Sequence, residues 1–179
     1  MPEKSANLLK SLLADADHFL EYGAGGSTRL ATTMDLKSLT SVESDSAFLQ
    51  SVDYHVRRDA PNLDWRPMFV DIGATAFLGY PKTLKARTRW ARYPLTPWTQ
   101  SANPDLILID GRFRVACALA AARYAAPGTR VFVDDYVLRP WYWKICNYLT
   151  PITKVGRAQL FEVPRGGANG LKMDMKRAV

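Results

Sequence analysis

The chain is poor in the residues that build disulfide scaffolds and histidine-based sites. Its 179 residues include two cysteines, Cys117 and Cys146, and two histidines, His18 and His55. Both cysteines sit in apolar or aromatic sequence without a partner at metal or redox spacing. They read as packed thiols, not as a disulfide framework or a zinc site. The histidines lie in or beside helical sequence and read as structural or solvated. No apolar run approaches the ~20 residues that cross a bilayer, and no basic start leads into an apolar stretch and a cleavage site. The expectation is a soluble, cytoplasmic protein without a membrane span.

Acid is missing from one stretch in particular. Between Asp71 and Asp105 there is none, while Lys82, Lys85, Arg87, Arg89 and Arg92 all fall there. Most of the net charge of +7 therefore sits in one segment, and Lys172, Lys176 and Arg177 form a second cluster near the C-terminus. A local basic patch either attracts anions or is a solvated face.

What is present is ordinary globular composition, 47% hydrophobic and 23% charged. One domain over 1–179 is the expectation, long enough to bury roughly 70% of its unfolded surface. Leucines at 8, 9, 12 and 13 set a helical period behind Ser5, and Asp45 to Ala60 carries an amphipathic helix. Residues 18–23, 36–44, 67–73, 104–110 and 129–136 read as strands, several of them apolar throughout. Helices are expected at 27–34, 113–126 and 140–149, and a hairpin at 152–164 around Gly156-Arg157. Strands that alternate with helices and are apolar on both faces require a parallel sheet covered on both sides. The fold class is therefore α/β: a doubly wound, Rossmann-like, mostly parallel sheet with helices on both faces and a C-terminal antiparallel hairpin. Residues 74–103 lack a clear element, mix basic residues with Phe77, Tyr80, Trp90, Tyr93 and Trp98, and read as a lid or substrate loop. Residues 165–179 read as a loose tail.

One stretch carries chemistry: FLEYGAGGST, residues 19–28. In an open α/β sheet, ligands sit beyond the carboxyl ends of the strands, where strand order reverses. Glycine lets backbone approach a ligand closely. Dinucleotide binding asks for G-x-G-x-x-G, and counting from Gly23 the third glycine position is Thr28. A pyrophosphate would also be repelled by Glu21, whereas a ligand with a positive centre would suit it.

The E-Y-G-A-G-G-S loop after a first strand resembles motif I of the class I S-adenosylmethionine-dependent methyltransferases. Glu43, 22 residues beyond Glu21, resembles the acid that binds the two ribose hydroxyls, since one carboxylate can accept both hydrogens. Asp71-Ile72 resembles the adenine-contacting position. LILIDGR and APGTRVFVDDY resemble the fourth and fifth strands of small-molecule methyltransferases. The resemblance covers roughly residues 18–164 and implies S-adenosylmethionine bound at Glu21, Gly23, Gly25, Ser27, Glu43, Asp71 and Ile72. The third glycine is shifted by one from the family pattern, and no substrate domain is inserted.

Methyl transfer asks mainly for in-line alignment, sometimes with a base for the acceptor hydroxyl. Asp110, with Arg112 beside it, and Asp134 are the candidate catalytic residues. In the resemblance, Asp110, Asp134 and Asp135 close neighbouring strands. They could hold Mg²⁺, act as a base or orient the acceptor, or cap the following turns. Arg112 and Arg114 could clamp an anionic small-molecule acceptor with forked hydrogen bonds. Trp141, Tyr142 and Trp143 pack on the sheet, line an acceptor pocket or build a homo-oligomer surface. Nucleic acid ranks below a small acceptor, because no Asn/Asp-Pro-Pro-aromatic motif and no attacking cysteine are present. The expected activity is O- or N-methylation. The alternatives are a non-catalytic member that binds the donor, its demethylated product or another nucleotide, and, more weakly, an NAD(P) oxidoreductase.

Overall fold

The computed structural model of the chain describes residues 1–76, 81–100 and 102–165. The expected tail beyond Arg165 and Phe77 and Tyr80 of the expected lid lie outside these. Among the described residues, no helix is long and apolar enough to cross a membrane.

Seven strands form one sheet: β1 (His18–Tyr22), β2 (Ser38–Glu43), β3 (Asp64–Phe69), β4 (Leu106–Ile109), β5 (Arg130–Val133), β6 (Thr150–Val155) and β7 (Ala158–Glu162). Their spatial order is β3-β2-β1-β4-β5-β7-β6. The first five pair in parallel, and β7 and β6 add antiparallel, as the hairpin around Gly156-Arg157 requires. Tyr22 of β1 stands opposite Val42 on one side and Ile109 on the other. The carboxyl ends of β1, β2 and β4 therefore finish level. Connections leave β1 toward β2 and β3 on one side, and β4 and β5 lie on the other. That reversal opens the crevice used for ligands in this architecture.

Successive strand residues point to opposite faces, and both faces here are apolar. Phe19, Leu39, Leu106, Leu108 and Phe132 pack under α1 (Glu3–Ala14), whose Leu9, Leu12 and Leu13 supply the facing stripe. Leu20, Val42, Ile107, Ile109, Val131 and Val133 face the other way, toward α6 (Arg114–Tyr124). That helix reads RVACALAAARY, and its alanines are buried almost all round, so it lies close on the sheet. α2 (Gly26–Ala31) follows the glycine loop, and α3 (Ser46–Asp59) follows β2 behind an N-cap in which Asp45 accepts from Phe48 N at 2.9 Å.

Two elements depart from the expected pattern. β3 ends at Phe69, so residues 71–73 lie beyond the strand. Residues 140–147 form 3-10 turns in place of an α-helix. The segment expected to lack structure holds α4 (Arg87–Trp90) and α5 (Arg92–Leu95) between two 3-10 turns, 84–86 and 96–100. Pro94 and Pro97 keep each turn short, because proline has no N–H to continue a helix.

Candidate functional site

The carboxyl end of β1 runs into Gly23, whose φ of 97° is left-handed. Its neighbour across the crevice is the β4 end. A side-chain carbon built on Gly23 would stand 2.8 Å from Gly111 Cα and N. The two loops meet backbone to backbone, a contact only glycine permits.

Below this loop lies Glu21, fully buried. Its carboxylate accepts from three hydroxyls: Ser27 and Thr28 at the start of α2, and Ser41 of β2 at 2.6 Å. Thr28 Oγ1 also accepts from Gly25 N at 2.7 Å. Glu21 thus ties strand, loop and helix together from beneath. Burial pushes its pKa up to about 7, against the pull of the three hydroxyls.

Glu43 closes β2. Its Oε1 accepts from Ser44 N at 2.6 Å, from Asp45 N at 3.0 Å and from Ser44 Oγ at 3.2 Å. All three bonds fall on one oxygen, which fixes the side chain and leaves Oε2 for a ligand. Together with Gly23, Ala24, Phe48, Tyr93 and Asp110, Glu43 lines a cavity of about 780 Å³ at the carboxyl edge of the sheet. That volume lies within the range of small-molecule and cofactor sites.

The far wall is an arginine–carboxylate lattice. Arg114, at the start of α6 and 8% exposed, donates to the main-chain oxygens of Asp110 (2.8 Å), Gly111 (3.1 Å) and Asp134, and pairs with the Asp110 carboxylate at 2.9 Å. Arg157, from the β6–β7 turn, reaches Asp134 Oδ2 and Asp135 Oδ1, each at 2.8 Å. Arg139 pairs with Asp135 at 3.4 Å. Burial raises the Asp110 pKa; Arg114 opposes this, and Asp134 and Asp135 add to it.

No protein-family model matches the chain, and no curated protein does. Solved structures do. A methyltransferase-like protein from Silicibacter pomeroyi is 34% identical, superposes with a TM-score of 0.86, and is matched over 92% of this chain and 87% of its own. The chain belongs to the methyltransferase-like family and has the class I S-adenosylmethionine-dependent methyltransferase fold. Two more distant structures share its fold. An O-methyltransferase from Bacillus cereus in complex with SAH is 16% identical, with a TM-score of 0.59 over 91% of this chain and 82% of that one. An RNA methyltransferase from Salinibacter ruber in complex with S-adenosyl-L-homocysteine is 13% identical, with a TM-score of 0.57 over 98% and 97%.

Against this methyltransferase frame, the sequence-predicted residues divide. Gly23, Glu43, Asp110 and Arg112 are brought to one cavity. Gly25 sits at the N-terminus of α2 with Phe48 beside it. Glu21 and Ser27 do not line the cavity, because their side chains are spent on each other under the loop. Asp71 and Ile72 do not line it either. β3 stops before them, Asp71 is turned outward to Gly73 N at 2.8 Å and to Arg89, and Ile72 is buried in the apolar core.

The expected divalent-metal site does not fit. Asp134 and Asp135 are both gripped by Arg157, and Asp110 by Arg114, so guanidinium groups occupy the place of a cation. Among the described residues, no group of three histidine, cysteine or acidic side chains is arranged to hold a metal ion.

Within residues 81–100 the expected lid is anchored to the sheet, and Tyr93 lines the cavity. Trp90 and Tyr93 are buried; Trp90 Nε1 donates to Ile72 O at 3.0 Å and Tyr93 Oη to Val42 O at 3.2 Å. So do Arg139, Arg157 and Phe48 line it, which the sequence did not single out as site residues. Only Arg157 carried a signal, its position in the Gly-Arg turn of the predicted hairpin beside β5.

Proposed function

We propose that the chain binds S-adenosylmethionine in the cavity at the carboxyl edge of the sheet and transfers its methyl group to a small, anionic acceptor. One observation supports this most: the Glu43 carboxylate, fixed through one oxygen, lies across a cavity of about 780 Å³ from a backbone-to-backbone glycine contact. The fit is chemical as well as spatial. Gly23 and Ala24 bring bare backbone to the donor, Glu43 Oε2 accepts the ribose hydroxyls, and Phe48 offers an aromatic face at the rim. When bound, the donor supplies an activated methyl group on a sulfonium. The chain's own task is alignment, and for a hydroxyl acceptor a base. Asp110 is that base, since its raised pKa places proton uptake closer to neutrality. Arg112, on the wall of this cavity, adds positive charge beside an anionic acceptor.

A second reading, donor binding without transfer, is favoured by the ion-pair lattice: Asp110 keeps Arg114 as a partner at 2.9 Å, which opposes proton uptake. The two are separated by incubating the protein with S-adenosylmethionine and candidate acceptors and following S-adenosylhomocysteine release. Turnover that falls at least about tenfold in Asp110→Asn, with donor affinity kept, supports catalysis. Donor binding without turnover on any acceptor supports the second reading.

A further inference from the structure

A second cavity of about 470 Å³ adjoins the first, and Gly111, Arg112, Arg114 and Arg139 belong to the walls of both. The two differ in charge. The larger cavity sets Glu43, Asp45, Asp110 and Asp135 against these arginines. Among the described residues the smaller one is lined by no carboxylate, and it adds Lys144. Among the described residues, Lys144 takes part in no ion pair. Three aromatic residues complete the smaller cavity: Phe113, Trp141 and Tyr142. Phe113 is held at the N-terminus of α6 with a left-handed φ of 51° and lies against Trp90 and edge-on to Tyr93. Trp141 meets Tyr142 edge-on at 6.1 Å and is 60% exposed, and the Arg139 guanidinium stands over the Tyr142 ring at 5.6 Å. A large indole left in solvent at the mouth of a basic cavity is a surface a planar ligand would cover.

We propose that the smaller cavity is the acceptor site and that it takes an aromatic carboxylate of one or two rings. This rests on the reading of the larger cavity as the donor site. The ring lies against Trp141 and Phe113, where stacking is sequence-neutral and tolerant of substituents. The carboxylate goes to Lys144 and the guanidinium edge of Arg139, since charge-assisted bonds are the strong ones in such a site. A ring hydroxyl then points to the shared wall at Gly111, toward Asp110. The volume of about 470 Å³ admits one or two rings.

The test uses the full chain and 3,4-dihydroxybenzoate as probe, titrated by tryptophan fluorescence and calorimetry with and without S-adenosylhomocysteine. Catechol, the same ring without the carboxylate, is the comparison. The proposal expects saturable binding of the probe and about tenfold weaker binding of catechol. Lys144→Gln and Trp141→Ala should each weaken the probe by about tenfold. Both variants should bind S-adenosylhomocysteine as the wild type does, which also shows that they are folded. No binding of the probe at ~10 mM, or binding that is equal for catechol or insensitive to both variants, overturns the proposal. If S-adenosylhomocysteine fails to bind while the probe binds and responds to the variants, the donor reading falls and the aromatic-carboxylate site stands. If the nucleotide binds and the probe does not, the acceptor proposal falls alone.

Discussion

Gly23 and Gly111 touch through their backbones at the point where β1 and β4 end, and a side-chain carbon on Gly23 would come within 2.8 Å of Gly111 Cα. Both glycines line the larger cavity, which we propose as the donor site. Gly23→Ala meets both a left-handed φ of 97° and that steric wall. It should cost about 2–4 kcal/mol of stability and abolish nucleotide binding. Gly26→Ala, where nothing lies within 4 Å, should change stability by less than about 0.5 kcal/mol. Chemical denaturation and nucleotide titration of the pair check both statements.

Glu21 makes folding sensitive to pH. Its pKa stands at about 7 in the folded chain, against an ordinary value of 4.5. The folded state therefore holds this proton more tightly than the unfolded state does. The stability it contributes is complete below about 4.5 and is lost as pH rises through 7. Glu21→Gln should flatten this dependence. The difference in unfolding free energy between about pH 5 and pH 8 should shrink by about 1–3 kcal/mol relative to wild type. An unchanged slope in urea unfolding across that range would contradict the burial of a titrating carboxylate here.

Arg157 holds Asp134, which is fully buried, and Asp135 beside it. Removing the guanidinium strands a buried charge, and the loss is tempered because Arg157 itself is partly exposed. Arg157→Gln should lower stability by about 1–3 kcal/mol. Arg157→Gln combined with Asp134→Asn should recover part of that loss, which a double-mutant cycle measures.

Asp71 should be dispensable for the nucleotide. Its pKa is lowered first by the bond from Gly73 N and then by Arg89, and the Arg89 pair is about half exposed on both sides. An exposed pair of this kind contributes little. Asp71→Asn should keep nucleotide affinity within about twofold and leave thermal unfolding essentially unchanged, read by calorimetry and thermal melts.

The sheet was legible because its strands are apolar on both faces: LILI of β4 and VFV of β5 can only be central strands covered from both sides. The hairpin was legible from Gly156-Arg157. Glu43 was legible by its distance from the glycine loop. Where Glu21 and Ile72 point was not. Their place in the motif is a matter of order along the chain, whereas their burial depends on which face of the sheet each strand position takes and on where β3 stops. The arginine lattice was hidden for a related reason. Asp110, Asp134 and Asp135 were visible as strand-end acids. Arg114 and Arg139 stand only four residues beyond Asp110 and Asp135, but the turns between them do not reveal that the side chains fold back, and Arg157 arrives from the far hairpin. Trp90 and Tyr93 likewise read as parts of an open loop, whereas Trp90 is buried against Ile72 and Phe113 and Tyr93 against the ends of β1 and β2.

Isothermal titration with S-adenosylhomocysteine, on the wild type and on Glu43→Ala, tests the central claim most directly. The donor-site reading predicts micromolar binding to the wild type and at least about a hundredfold loss in Glu43→Ala, with the variant's thermal unfolding unchanged. Wild-type protein that binds neither S-adenosylhomocysteine nor S-adenosylmethionine at ~1 mM, or a Glu43→Ala variant that binds as the wild type does, would contradict it.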